Sequence, residues 1–560
     1  MALAVSLQPM WTKRVATEMS GRDPLGLSRL GDTIKEFLLS GINVSNHRAR
    51  YYSFYSWALW HIEHEEKPGN YRAFVAAFRR REAAMAIATV LNKSNASPIG
   101  IKAVRPKLEK GLETGDFDCD FKVLPSHALG GYGQYYSGSL YHLKLYHRLE
   151  NSFDTVTQGI AEDLAQTFHA TIEHTPYIKK KLYRGTTVNK NDLIKSKEFF
   201  TLDALEQPFC REERTKLINI FFGFNEGSGT ADVLRRHSLT LLLHAIVEYE
   251  RQILHVNVAK GRILDRYLLY TFYYDVLWLN ESKTSSYQAP EALRFCHDLW
   301  KQFCLHQFFT EALESLLYSV LEVLSVEGTG LTLSEVINRL LLPDFFEALR
   351  ATTSRNCDQP YDLLKALGIT QSPDEATSQK LQKKVTPIHQ LSEAKVLDLE
   401  PGSAQNEAAR GILLLATLYG KWRGISQGYA INYVAARARQ DLWIGSILLD
   451  LDRWLNPQVS WSETLQELIE KFILNQHDQV MYEKGKLESC WLQRIGGRII
   501  KEQDYDPSWR SSRHSNAVRI MGDLGLLRIN DYYEVSVTPQ GRKVLEKALR
   551  LSNGSQKEYR

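Results

Sequence analysis

The sequence predicts a mainly α protein, a multi-helix body with a hairpin-bearing module at its C-terminal end. Three observations predict it. Apolar residues recur every three to four positions through most of the chain, above all in 198–342. Large aromatics follow the same spacing there (Tyr267, Tyr270, Tyr273, Tyr274, Trp278, Trp300 and Phe308), as inter-helix packing requires. The last seventy residues instead carry stop, turn and cap signals in the order helix, short hairpin, helix.

In order along the chain, Ser28 caps a helix ending near Ser40-Gly41. A longer one follows over Asn46–Glu65, with Tyr51, Phe54, Tyr55, Ala58, Leu59 and Ile62 as its buried stripe. Arg48, Arg50 and Tyr52 surround its start; arginines beside aromatics suit contact with a nucleic-acid backbone, but a core helix with a solvated first turn is the better reading. Phe74–Leu91 is a third helix, with Arg79, Arg80 and Arg81 on a water face. Gly130, Gly131, Gly133 and Gly138 alternate with Tyr132, Tyr135 and Tyr136. A glycine-rich loop before a helix can cradle phosphate, but no Lys-Ser/Thr follows as a nucleotide loop requires. Packed tyrosines in a tight loop are the better reading. Pro176–Lys197 is the most basic local run and reads equally as a flexible basic loop touching phosphate or an acidic partner and as a solvated connector.

The central helices are Ser238–His255, Arg262–Trp278, Pro290–Phe309 and Glu311–Ser325, without a strict repeat period. Ala351–Gln405 is polar, with four prolines, and reads as a linker. Helices resume at Glu407–Trp422, Arg437–Trp454 and Ser462–Leu474. Trp491–Glu502 forms a hairpin turning at Gly496-Gly497. The segments expected are therefore 1–124 helical, 125–197 a candidate second module with a basic loop, 198–350 helical, 351–406 linker, 407–484 helical connector and 485–560 the terminal module.

From Arg510 the chain reads RSSRHSNAVRIMGDLGLLRINDYYEVSVTPQGRKVLEKAL. Ala517, Val518, Met521 and Leu524 mark a helix that Gly525 stops. Leu526–Ile529 and Val535–Val537 are strands turning at Asn530-Asp531. Thr538-Pro539 opens a last helix with a capping hydroxyl and a first-turn proline. This order resembles bacterial winged-helix DNA-binding domains over roughly Leu487–Leu549. The resemblance implies a winged helix-turn-helix that contacts duplex DNA.

Ser139–Phe168 repeats the pattern, with Leu143-Lys144-Leu145 for Leu524-Gly525-Leu526, Thr157 for Thr538, and Leu164 for Leu545. Its turn would fall at Glu150-Asn151-Ser152. A second, winged-helix-like module near residues 125–170 is therefore expected. The whole chain also resembles uncharacterised helical accessory proteins found with mobile-element and phage-defence genes. That likeness rests on the RDPLG start, the RARYYSFYSWALW helix and the GGYGQYYSG loop.

The net charge is only +4, so nucleic acid must be met by local patches. In and beside the terminal module these are Arg494, Arg498, Lys501, Arg510, Arg513, His514, Arg519, Arg528 and Arg542. Arg510, Arg513 and His514 flank the start of the groove-facing helix, where free backbone N–H groups add to their charge. The partners expected are double-stranded DNA and other subunits of a bacterial complex.

No apolar run approaches a membrane span, and Met1–Pro9 lacks the features of a secretory signal. Six scattered cysteines without paired spacing fit reduced thiols in the cytoplasm, with no metal and no cofactor. The motifs of nucleotide, serine-hydrolase and zinc-protease chemistry are missing, so no catalysis is expected. Two rival readings remain. Kleisin-like partners of chromosome-type ATPases also carry terminal winged helices. Asp116, Asp118 and Asp120, followed by Lys122, can be read as a metal-dependent nuclease string.

Overall fold

The computed structural model describes residues 23–554 apart from 94–95, 149–152, 226, 254–265, 327, 400–401, 426–433, 435–437, 439–441, 486–489, 508 and 531–533. The chain runs α1 (Ser28–Leu38), α2 (Arg50–Glu65), α3 (Tyr71–Leu91), α4 (Ile101–Thr114), β1 (Asp116–Asp118), α5 (Ser137–His142), β2 (Tyr146–Arg148) and β3 (Asp154–Val156). There follow α6 (Ile160–Ile172), α7 (Pro176–Lys179), β4 (Thr187–Asn189), α8 (Lys190–Phe200), α9 (Arg211–Phe221), α10 (Thr230–Ile253), α11 (Leu268–Tyr274), β5 (Val276–Asn280) and β6 (Lys283–Ser286). Next are α12 (Arg294–Leu324), α13 (Leu333–Leu340), α14 (Pro343–Thr353), α15 (Pro360–Ala366), α16 (Glu375–Lys384), α17 (Glu393–Leu397) and α18 (Ala404–Trp422). The last are α19 (Ile444–Ile447), α20 (Trp461–Leu468), α21 (Gln476–Lys484), β7 (Leu492–Ile495), β8 (Arg498–Lys501), α22 (His514–Asp523), β9 (Leu527–Ile529), β10 (Val535–Val537) and α23 (Pro539–Gly554). The protein is mainly α. Every sheet among the described residues is a two-stranded antiparallel pair: β1–β4, β2–β3, β5–β6, β7–β8 and β9–β10.

The chain divides into two compact units, each built from two stretches: one up to Thr33 with Cys304–Trp509, the other Ile34–Phe303 with the residues from Arg510 on. In the first, α18 is buried along almost its whole length among α14, α16 and α17. Gly411 lets it approach α12, because a Cβ there would lie 2.7 Å from the Ala312 carbonyl oxygen. β8 pairs once more with Leu331, through Ile499. In the second unit α2 is the centre and packs against α6. The expected stripe of α2 is buried, and so are Arg50, Tyr52 and Trp57 on its other faces.

Several expectations differ from the structure. The first turn of α2 is enclosed: Arg50 pairs with Glu213 at 3.3 Å, both side chains fully buried. Arg81 is buried against Glu66, so only part of the α3 arginine run faces water. The polar stretch Ala351–Gln405 is folded, with Leu363, Leu364, Leu381 and Val396 buried; Pro360 opens α15, and Pro373 and Pro387 lie between helices. The basic run at 176–197 is likewise folded into α7, β4 and α8. Trp278 lies in β5, since α11 ends at Asp275 in a left-handed conformation (φ 55°). Pro290–Ser325 contains one helix, α12, where two were expected. The terminal boundary expected at 485 falls between Trp509 and Arg510, and β7–β8 belong to the first unit. Met1–Pro9, the turn at Glu150-Asn151-Ser152, the start of the Arg437–Trp454 helix and Asp531 of the last turn lie outside the described residues.

Candidate nucleic-acid interface

Two helix–hairpin–helix modules occur in the second unit, and their backbone bonds correspond residue by residue. α5, β2, β3 and α6 form one; α22, β9, β10 and α23 form the other. Leu145 N–H donates to Leu140 O at 2.8 Å, and Leu526 N–H to Met521 O at 2.9 Å. Thr157 N–H donates to Leu145 O at 3.2 Å, and Thr538 N–H to Leu526 O at 3.0 Å. Tyr146 faces Val156 as Leu527 faces Val537. Lys144 adopts the left-handed turn (φ 57°) that Gly525 adopts in the other module (φ 70°). The two later glycines do different work. Gly541 lets α23 approach the Leu526 carbonyl, where a Cβ would sit at 2.1 Å, whereas Gly159 is open and left-handed.

The helix that would face a DNA groove, α22, is held at both ends. Arg513, its N-cap, pairs with Glu36 at 3.0 Å and donates to Ile42 O at 3.1 Å. Asn516 donates to Asn43 O at 2.8 Å. Asp523 accepts from Arg48 Nε at 3.0 Å and from Ala49 N–H, the N-cap of α2, at 2.8 Å. Burial pushes the Asp523 carboxyl up to about 6 despite that arginine. On the far side, Glu250 of α10 accepts from both Val537 N–H and Arg542.

The nine basic residues expected to meet nucleic acid are therefore not equivalent. Arg494 is paired with Asp478, Arg498 donates to Gly330 O at 2.8 Å, and Lys501 pairs with Asp504 at 2.6 Å, all within the first unit. Arg513 and Arg542 are spent on Glu36 and Glu250. His514 is buried beside Ser512, and Arg510 is half-buried and engaged within the protein. A guanidinium already matched by a carboxylate offers little net charge to a phosphate. Arg519 on α22 and Arg528 on β9 are exposed and have no ion-pair partner among the described residues.

These two arginines line one groove of about 750 Å³, together with His47, Arg48, Glu206, Arg214 and Asp523. Sequence reasoning singled out Arg519 and Arg528 but missed His47 and Arg214 as their neighbours. Those two arrive from other parts of the unit, and no local pattern marks them.

Two other candidates have intramolecular explanations. The glycine-rich segment, expected as a loop, is helical, with a π-helical turn over Tyr132–Tyr136, and the group it cradles is the carboxyl of Glu82. Its Oε1 accepts from Gly131 N–H at 2.9 Å and from Tyr55 OH at 2.8 Å. A Cβ on Gly130 would lie 1.8 Å from its Oε2. Tyr132 and Tyr136 of this helical turn are fully buried against the tyrosines of α2. In the acidic string, Asp118 is held by Lys107 at 2.6 Å and Asp120 by Arg79 at 3.4 Å. No group of three or more metal-binding side chains forms among the described residues. No described helix is long and apolar enough to cross a membrane.

No family model, curated protein or solved structure matches this chain.

Proposed function

We propose that the chain is a non-catalytic scaffold subunit of a bacterial complex, of the anti-phage kind its sequence resembles, and that it holds duplex DNA by its phosphate backbone. The module formed by α22, β9, β10 and α23 acts as a winged helix, and the α5–α6 module as its degenerate copy. The observation that carries this reading is the shared groove: Arg519 and Arg528, exposed and without ion-pair partners among the described residues, lie there with Arg214, while Arg48 is held by Asp203 and Asp523. With the first turn of α22 tied to Glu36 and Asn43, the module meets DNA with its helix flank and wing. That geometry suits backbone contact better than base reading. The free, buried state of all six cysteines supports a cytoplasmic setting.

The salt dependence of affinity for random-sequence duplex tests it. Arg519→Gln and Arg528→Gln should each flatten the log–log slope by about one. Slopes unchanged in the double variant would reject DNA as the ligand. A second reading, a kleisin-like architectural partner that grips protein, is favoured by the pairing of Arg513 and Arg542 with Glu36 and Glu250. On that reading Arg519→Glu/Arg528→Glu leaves DNA affinity unchanged and weakens a protein complex.

A further inference from the structure

The groove is lined in part by the C-terminal module. In the C-terminal module Gly522 and Gly525 open its wall, and Arg519 and Arg528 border it. At the corresponding places the N-terminal module has Tyr141, 59% exposed, then Lys144, Gly138 and His147. A tyrosine stands where the other copy has Gly522, and the positions of Arg519 and Arg528 hold glycine and histidine.

His47, from the segment joining α1 and α2, sits half-buried in that groove. The groups facing it are Arg48 on its own segment, Arg519 and Asp523 from α22, Arg528 from β9, Arg214 from α9 and Glu206 from the 202–206 turn. Asp523 is already matched by Arg48, which also holds Asp203 at 2.9 Å. The cationic side of this cluster therefore dominates around the imidazole. Burial first, then the charges of Arg48 and Arg519, keep His47 below its ordinary range, and so neutral, in the free protein. An arriving phosphate would cancel those arginine charges and offer an acceptor to an imidazolium N–H.

Resting on the DNA-backbone reading, we propose that this groove seats one phosphodiester and that His47 takes a proton from solvent as the phosphate enters. DNA and a proton then bind together, and affinity rises as pH falls. No covalent bond changes; the proton moves from water to a ring nitrogen of His47. The linkage belongs to the C-terminal module, whose groove holds His47 beside two exposed arginines.

The test measures affinity for a random-sequence duplex at constant ionic strength between about pH 8 and about pH 6. It compares wild type, His47→Gln and Arg519→Gln/Arg528→Gln, with calorimetry in two buffers of different ionisation enthalpy to count protons. Wild-type affinity should rise by up to about tenfold per pH unit, with proton uptake, and His47→Gln should lose most of that rise. A pH dependence that survives in His47→Gln assigns the proton to Asp523 and overturns the proposal. Tight wild-type binding that needs Arg519 and Arg528 but takes up no proton also overturns it, and leaves the DNA reading standing. Absence of duplex binding at every pH removes both.

Discussion

Arg50 and Glu213 show how much a single residue's role depends on partners far along the chain. Both side chains are fully enclosed, Ser53 donates to the carboxylate at 2.5 Å, and the Arg50 guanidinium lies 4.9 Å from the Phe168 ring centroid. Removing one member leaves a charge stranded in the interior. Glu213→Ala should lower stability by about 3–5 kcal/mol, read as a shifted denaturation midpoint at unchanged slope. A loss near zero would show that water reaches the pair. Arginines beside aromatics at the start of α2 read locally as a solvated turn. Their partners Glu213, Asp203 and Asp523 come from α9, a 3-10 turn and α22, and no spacing rule reaches that far. The same limit explains why most of the expected DNA contacts are already paired.

Elements closed by local bonds were the most legible. The Gly496-Gly497 turn has both residues at positive φ (58° and 78°), as a two-residue hairpin needs. The repeat was visible because a leucine and a threonine twelve positions on close each hairpin through one backbone bond. By contrast, β5 was hidden: Asp275 ends α11 without the glycine that usually marks such a stop. The left-handed pair gives a reciprocal test. Lys144→Gly should raise stability by about 1 kcal/mol, and Gly525→Ala should lower it by a similar amount. Thermal denaturation of both variants decides it, and the weak Lys144–Asp232 contact at 3.4 Å alters the first figure little.

The Glu82 clasp adds a pH dependence at this scale. Burial raises its carboxyl from 4.5 to about 7, against the lowering by the Tyr55 and Gly131 bonds. Folded protein thus keeps a proton that the unfolded chain has lost. Stability from this group falls as pH rises from about 4.5 to about 7 and is flat above. Glu82→Gln should remove that slope from denaturation midpoints; a slope as steep as wild type would place the titration elsewhere.

For the whole molecule, the amount of helix was legible and the partition was not. Composition and periodicity report that apolar faces exist, while the units are each assembled from two separated stretches of chain. The terminal module depends on α10, whose Glu250 receives both Val537 N–H and Arg542. Strands β7 and β8 depend on Leu331. A fragment spanning 485–560 should therefore lack cooperative unfolding and be cleaved rapidly by protease, although its sequence pattern looks autonomous. A sharp thermal transition in that fragment would contradict this.

Asn43 lies on the short segment between α1 and α2, and both modules fasten to it. Its side-chain amide donates to Tyr135 O at 2.8 Å and Ser139 Oγ at 3.1 Å beside α5, while its carbonyl accepts from Asn516 of α22. Tandem modules on a flexible tether adjust their spacing to whatever they grip. Here one asparagine splints both modules to the same segment, so a substitution at Asn43 loosens the two of them at once.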